Sequence, residues 1–122
     1  MSSQSPPGND RTDPAPTLPR RFDRVLEALA HHDRRVVVIA LVEANPQNGE
    51  SVPVEWADLT REMTPQELIA TSHTHLPKLE DFGFVTWDRD AHVVHAGPEF
   101  DDVRAVVELL TANADELPDG WL

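Results

Sequence analysis

The apolar positions of this chain fall into blocks whose spacing switches between helical and extended. In "RFDRVLEALAHH", Phe22, Val25, Leu26 and Leu29 recur at helical spacing, which predicts a helix. "DRRVVVIALVEANP" is ambiguous. Its Val-Val-Val-Ile run favours a strand, whereas its length, the Asp33 cap and the "ANP" stop favour a buried helix, and helix is the expectation. "GESVPV" predicts a turn and a short strand, and "VEWADLTREM" a helix with Trp56 and Leu59 inward. Thr64-Pro65-Gln66-Glu67 is a capping box with proline at the first helical position, so a new helix opens one residue after the previous one stops. Two helices joined so tightly predict a helix-turn-helix unit. "FVTWDRDAHVVHAG" is two short alternating runs around "DRDA", a β-hairpin. "PEFDDVRAVVELLTANA" closes the chain as a helix whose acidic first turn suits the helix dipole. Phe100, Val103, Val107 and Leu110 form its apolar stripe.

The order is helix, helix, short strand, helix, helix, hairpin, helix. It predicts an α+β, mainly α fold: a winged helix-turn-helix with a three-stranded sheet and an additional C-terminal helix. Residues 1–19 hold five prolines and almost no apolar side chains, and are expected to form an extended arm. Residues 20–98 would hold the winged-helix unit, and 99–122 the last helix and an acidic tail.

The segment 64–82 carries small hydrogen-bonding residues and an interior proline, and a helical wheel divides it into two sides. Ile69, Ser72, Leu76 and Leu79 share the side expected to face the core, with Leu68 and Phe82 flanking. The opposite side shows Gln66, Glu67, Ala70, Thr71, Thr74, Lys78 and Asp81, with His73 on its edge. Its middle is small and uncharged, as a face approaching a polyanion requires. Thr and Gln reach base edges, and Thr methyls touch the thymine methyl. Pro77 lacks the N–H that would bond the His73 carbonyl. Either the helix kinks there or it ends near His75. Both alternatives place Thr71 to Thr74 outward.

Composition changes this picture in three ways. The 122 residues suit one domain, and without Cys there is no disulfide, thiolate catalyst or cysteine metal site. The net charge of −12, from 22 acids and 10 bases with Lys78 the single lysine, suits a protein adapted to strong salt. An ordinary acidic protein is the plainer explanation. Six of the ten bases (Arg11, Arg20, Arg21, Arg24, Arg34 and Arg35) lie in the first 35 residues, so charge is polarised along the chain. No apolar run is long enough to span a membrane and no secretory leader is evident, so the cytoplasm is expected.

Arg89 at the wing tip, Arg34 and Arg35 at the start of the second helix, and Arg20 and Arg21 are candidate phosphate contacts beside Gln66, Ala70, Thr71, His73, Thr74 and Lys78. The histidine pairs close in sequence argue against a metal. His73 and His75 point about 200° apart on a helix, His92 and His95 fall on opposite faces of a strand, and His31 and His32 are adjacent. No nucleophile elbow or phosphate loop is present, so neither enzyme activity nor a cofactor is expected. Met63 is the only internal oxidisable sulfur, most simply a gap-filling core residue.

"HTHLPKLEDFGFVTWD" resembles the H-x-HLPKL-x-x-x-G-x-V-x-x-D stretch of haloarchaeal winged-helix transcription regulators related to the ArsR and PadR groups. The resemblance covers about residues 22–110. It implies a homodimer binding a pseudo-palindromic double-stranded DNA site. The dimer would be built by the terminal helices, through Phe22, Val25, Leu26, Phe100, Val103, Val107 and Leu110. It also implies a response to oxidative stress, sensed without cysteine. Salt screening, or inorganic cations taken up at the acidic surface, would substitute for lysines. The alternative is a winged-helix module that pairs with proteins rather than DNA.

Overall fold

The computed structural model describes residues 18–45 and 51–121, with side chains from residue 20 onward. Most of the predicted N-terminal arm lies outside the described residues. The first helix, α1 (Leu18–Leu29), begins two residues inside the stretch assigned to that arm. α2 (His32–Ala44), β1 (Val54–Glu55) and α3 (Trp56–Leu59) follow. Next come α4 (Pro65–Ala70), a π-helical turn (Thr71–His75) and α5 (Leu76–Asp81). The hairpin is β2 (Val85–Asp88) and β3 (Val93–Ala96), and α6 (Phe100–Ala112) ends in a 3₁₀ turn at Ala114–Glu116.

The chain is mainly helical with one small antiparallel sheet. α2 settles the ambiguous segment as a helix. Its Val37, Val38 and Leu41 are wholly buried, and burial outweighs the strand propensity of β-branched side chains. Around it pack α1 and α6, which bring Val25, Ala28, Phe100, Val103 and Val107 into the same core. This corrects the dimerisation set. Val25, Phe100, Val103 and Val107 are all under 5% exposed within their own subunit, because the α6 stripe faces α1 and α2 of the same chain. Leu110 is half-buried, whereas Phe22 and Leu26 are exposed.

The sheet has the order β1-β3-β2, with Val54 opposite Val94 and Val85 opposite Ala96. Period-two alternation buries Val85 and Val94 and leaves Thr86 and Asp88 in water. At the tip, Asp88 accepts the Ala91 N–H at 3.0 Å, and His92 adopts φ 58, a left-handed conformation that His tolerates better than bulky or β-branched residues. α5 ends in a Schellman motif: Phe84 N–H donates to Leu79 O at 3.0 Å and Gly83 N–H to Glu80 O at 2.9 Å. Gly83 takes φ +83, and the chain then meets Gly97 at the base of the hairpin. A Cβ on Gly97 would lie 2.4 Å from the Gly83 carbonyl oxygen. Two backbones therefore touch there, and this contact fixes the hairpin against the end of α5.

Candidate nucleic-acid interface

The predicted capping box is present in full. Thr64 Oγ1 accepts the Glu67 N–H at 3.1 Å, and Glu67 Oε1 accepts the Thr64 N–H at 2.9 Å. The connection into it differs from expectation. α3 is a single turn ending at Leu59, so residues 60–64 join the two helices rather than one residue.

Of the two expected consequences of Pro77, the end near His75 does not occur. The helix runs on through it, but the turn before it widens. The Leu76 N–H donates to Thr71 O, an i to i+5 bond in place of i to i+4. A π turn inserts one residue, about 100° of helix rotation. The side facing the core downstream therefore does not continue upstream. Leu76 and Leu79 are fully buried, as predicted. Upstream of the turn the phase slips by one: Thr71 is 0% exposed, while Ile69 is 59% exposed. Leu68, at 37%, is also exposed. Thr71 is thus no base contact, and its hydroxyl meets Met63 Sδ at 3.5 Å. Ser72 turns its hydroxyl onto the Ile69 carbonyl at 3.0 Å. Gln66, His73 and Thr74 stay exposed and Ala70 is half-buried, so four of the predicted positions keep contact with solvent.

Arg34 and Arg35 are not free for phosphate. α1 ends at Leu29, and these two guanidinium groups donate to its last carbonyls, of which Glu27 O also accepts the Ala30 N–H at 3.2 Å. Arg34, 8% exposed, donates to Glu27 O at 2.8 Å and Ala28 O at 3.3 Å. Arg35 donates to Leu29 O at 2.7 Å. Arg34 also donates to His75 Nδ1 at 3.1 Å, tying the end of α1 to the π turn. Burial lowers the Arg34 pKa, opposed by the Glu27 carboxylate.

His31, Asp33 and His75 converge so that one donor atom of each lies within 4.8 Å of the others. Residues close in sequence gave no hint of this long-range cluster. Its bonding opposes a metal. His31 Nδ1 accepts the Asp33 N–H at 3.1 Å, the N-cap of α2. His75 Nδ1 must accept, because a guanidinium has no lone pair to offer. Each neutral ring then keeps its proton on Nε2. The two rings pack with centroids 4.1 Å apart and planes 41° from one another, which aims their faces, not their in-plane lone pairs, at each other. The His75 pKa is lowered first by burial, then by His31 and Arg34, with Asp33 opposing. The cluster seats the π turn on the start of α2.

Of the remaining predicted cations, Lys78, Arg89 and Arg21 are paired, and Arg20 is exposed. Lys78 Nζ lies 2.8 Å from Glu27 Oε2 and sits over the Phe82 ring. Arg89 lies 3.6 Å from Glu80 and stacks over Trp87 at 4.0 Å, so the hairpin tip holds its guanidinium in an internal ion pair. Arg21 pairs with Asp102 at 2.6 Å, and Arg61 and Arg104 pair with Asp58 and Asp101.

Sequence reasoning missed Leu109, 64% exposed on α6, although its place outside the Phe100–Val107 stripe marks it as outward. It lies one turn past Ala105, which lines an open groove of about 240 Å³ with Phe22 and Val25. Among the described residues no helix is long and apolar enough to cross a membrane. Comparison with known proteins finds no matching family model, no matching curated protein and no matching solved structure.

Proposed function

We propose that this chain is a winged-helix transcription regulator that reads DNA in the cytoplasm of a salt-adapted cell and has no enzymatic role. One observation carries the proposal: an acidic protein keeps the middle of the outer face of a capped helix free of charge, with Gln66, Ile69, His73 and Thr74 in solvent. Such a face suits the major groove, where side chains meet base edges. The hairpin follows the helix directly and supports it along the duplex. Dimerisation suits Phe22 and Leu26 of α1 with Leu109 of α6, which are at least 50% exposed and border or extend the groove between those helices. A second reading draws on Leu68 and Ile69: exposed apolar side chains on this helix also suit a protein partner.

Binding to the promoter of its own gene, followed by fluorescence anisotropy in KCl from low to molar concentration, tests the proposal. An ordinary binder loses affinity with a log–log slope of about −0.9 per phosphate neutralised. With Lys78, Arg89, Arg34 and Arg35 all engaged internally, a slope shallower than about −2 is expected. A slope steeper than about −4 overturns the charge-sparing mode, and absence of sequence-selective binding at every salt overturns DNA reading itself.

A further inference from the structure

Building on the DNA-reading proposal, we infer that Ile69 is a base-reading residue and that its ligand is the C5-methyl group of thymine. Ile69 is 59% exposed and takes no part in the core cluster, even as a partly buried neighbour. It is not there for helix propensity, since β-branched side chains are mediocre helix formers. Its position follows from the π turn: the inserted residue turns Ile69 out and takes Thr71 in. What the sequence pattern assigns to the core is thereby placed at the centre of the outer face. Gln66 lies three residues before it and is also exposed, so these two side chains share one stripe on the helix, while exposed His73 lies inside the π turn.

An apolar side chain on this stripe has no use for phosphate oxygens or for the polar edges of bases. The thymine methyl is the apolar feature of the major groove. Half-buried Ala70 next to Ile69 leaves room for a base edge to approach. The Ser72 hydroxyl already occupies the Ile69 carbonyl, so the polar atom nearest the contact has a partner. Gln66 suits the N6/N7 edge of adenine, the base paired with thymine. The stripe is therefore fitted to an A·T-containing half-site, with Ile69 against the methyl and Gln66 against an adenine.

The test removes each side of the contact in turn. A bound site is first selected from random duplexes, and each thymine is then replaced by uracil, which lacks only the methyl. One uracil position is expected to weaken wild-type binding about fourfold, the effect of one methyl-sized contact. Ile69→Ala should weaken binding to the thymine site by a similar or larger factor and lose no more when that position becomes uracil. Leu68→Ala serves as the control and should keep the full uracil effect. If no uracil position matters to the wild type, or if Ile69→Ala leaves the uracil effect intact, Ile69 does not read thymine, while DNA binding itself stands. If Ile69→Ala binds DNA normally but loses a protein partner or self-association, the inference is also overturned. If the wild type selects no duplex at all, the DNA-reading proposal falls and takes this inference with it.

Discussion

Replacing Arg34 with Met tests whether this guanidinium is internal scaffolding or a phosphate contact. The thioether keeps much of the aliphatic volume and removes the fork. Ala28 O and His75 Nδ1 lose the guanidinium donor, and Glu27 O loses one of two donors, since it keeps the Ala30 N–H. The Glu27 bond is only part-buried, so water replaces most of it. The other two are buried, and each orphan costs about 1–3 kcal/mol. Relief of the burial penalty on the charge, which also lowers the Arg34 pKa, offsets part of this. The net loss is about 2–4 kcal/mol, against a typical total of roughly 5–15. Urea unfolding at fixed KCl measures it, with a fall in Tm of roughly 10–20 °C expected in parallel. Arg34→Lys should recover only part of the loss, because an ammonium cannot reproduce the planar fork. If Arg34→Met unfolds within about 1 kcal/mol of the wild type yet binds DNA many times more weakly, the side chain faces the duplex and the buried arrangement is wrong.

The other predictions concern backbone contact, pH and assembly. Gly97→Ala should cost about 1–3 kcal/mol or more in urea unfolding, since its Cβ would meet the Gly83 carbonyl; a neutral effect would mean that the hairpin is not held there. Because the folded pKa of His75 lies below its ordinary value, the unfolded chain takes up the proton first as pH falls below about 6.5. Its neutral form therefore contributes stability that is present above that pH and lost below it. The difference in Tm between the wild type and His75→Phe should shift against the wild type between about pH 7 and pH 5, and a pH-independent difference would contradict the seating role. Leu109→Asp together with Phe22→Asp should yield a monomer in sedimentation at constant salt, and an unchanged assembly state would place any self-association elsewhere.

The order of elements was legible because each boundary carries its own chemistry. The Thr64–Glu67 box, the "DRDA" tip and the acidic start of α6 all lie where the pattern put them. The outer face was only half legible. A helical wheel assumes 3.6 residues per turn throughout, and the π turn breaks that assumption inside the segment that matters. Pro77 was the available signal: a proline inside a helix forces some rearrangement of the turn before it. Arg34 and Arg35 were misassigned for another reason. Helix ends need donors for their last carbonyls, and here the donors come from the start of the next helix. Asp33, His31 and His75 meet only through tertiary packing, which local spacing does not encode. The same limit applied to α6, whose stripe is the same whether it meets its own chain or a twin.

The chain has no tyrosine and three tryptophans, so its near-ultraviolet absorption is almost wholly indole. Trp56 and Trp87 stack with centroids 4.9 Å apart and planes 20° from parallel, and Arg89 covers Trp87 from the hairpin tip. Chromophores this close couple their transitions. The stacked pair is therefore expected to give the edge of the sheet its own optical label, a circular-dichroism couplet. Any duplex or partner that lifts the hairpin off α3 would announce itself in that signal without a dye.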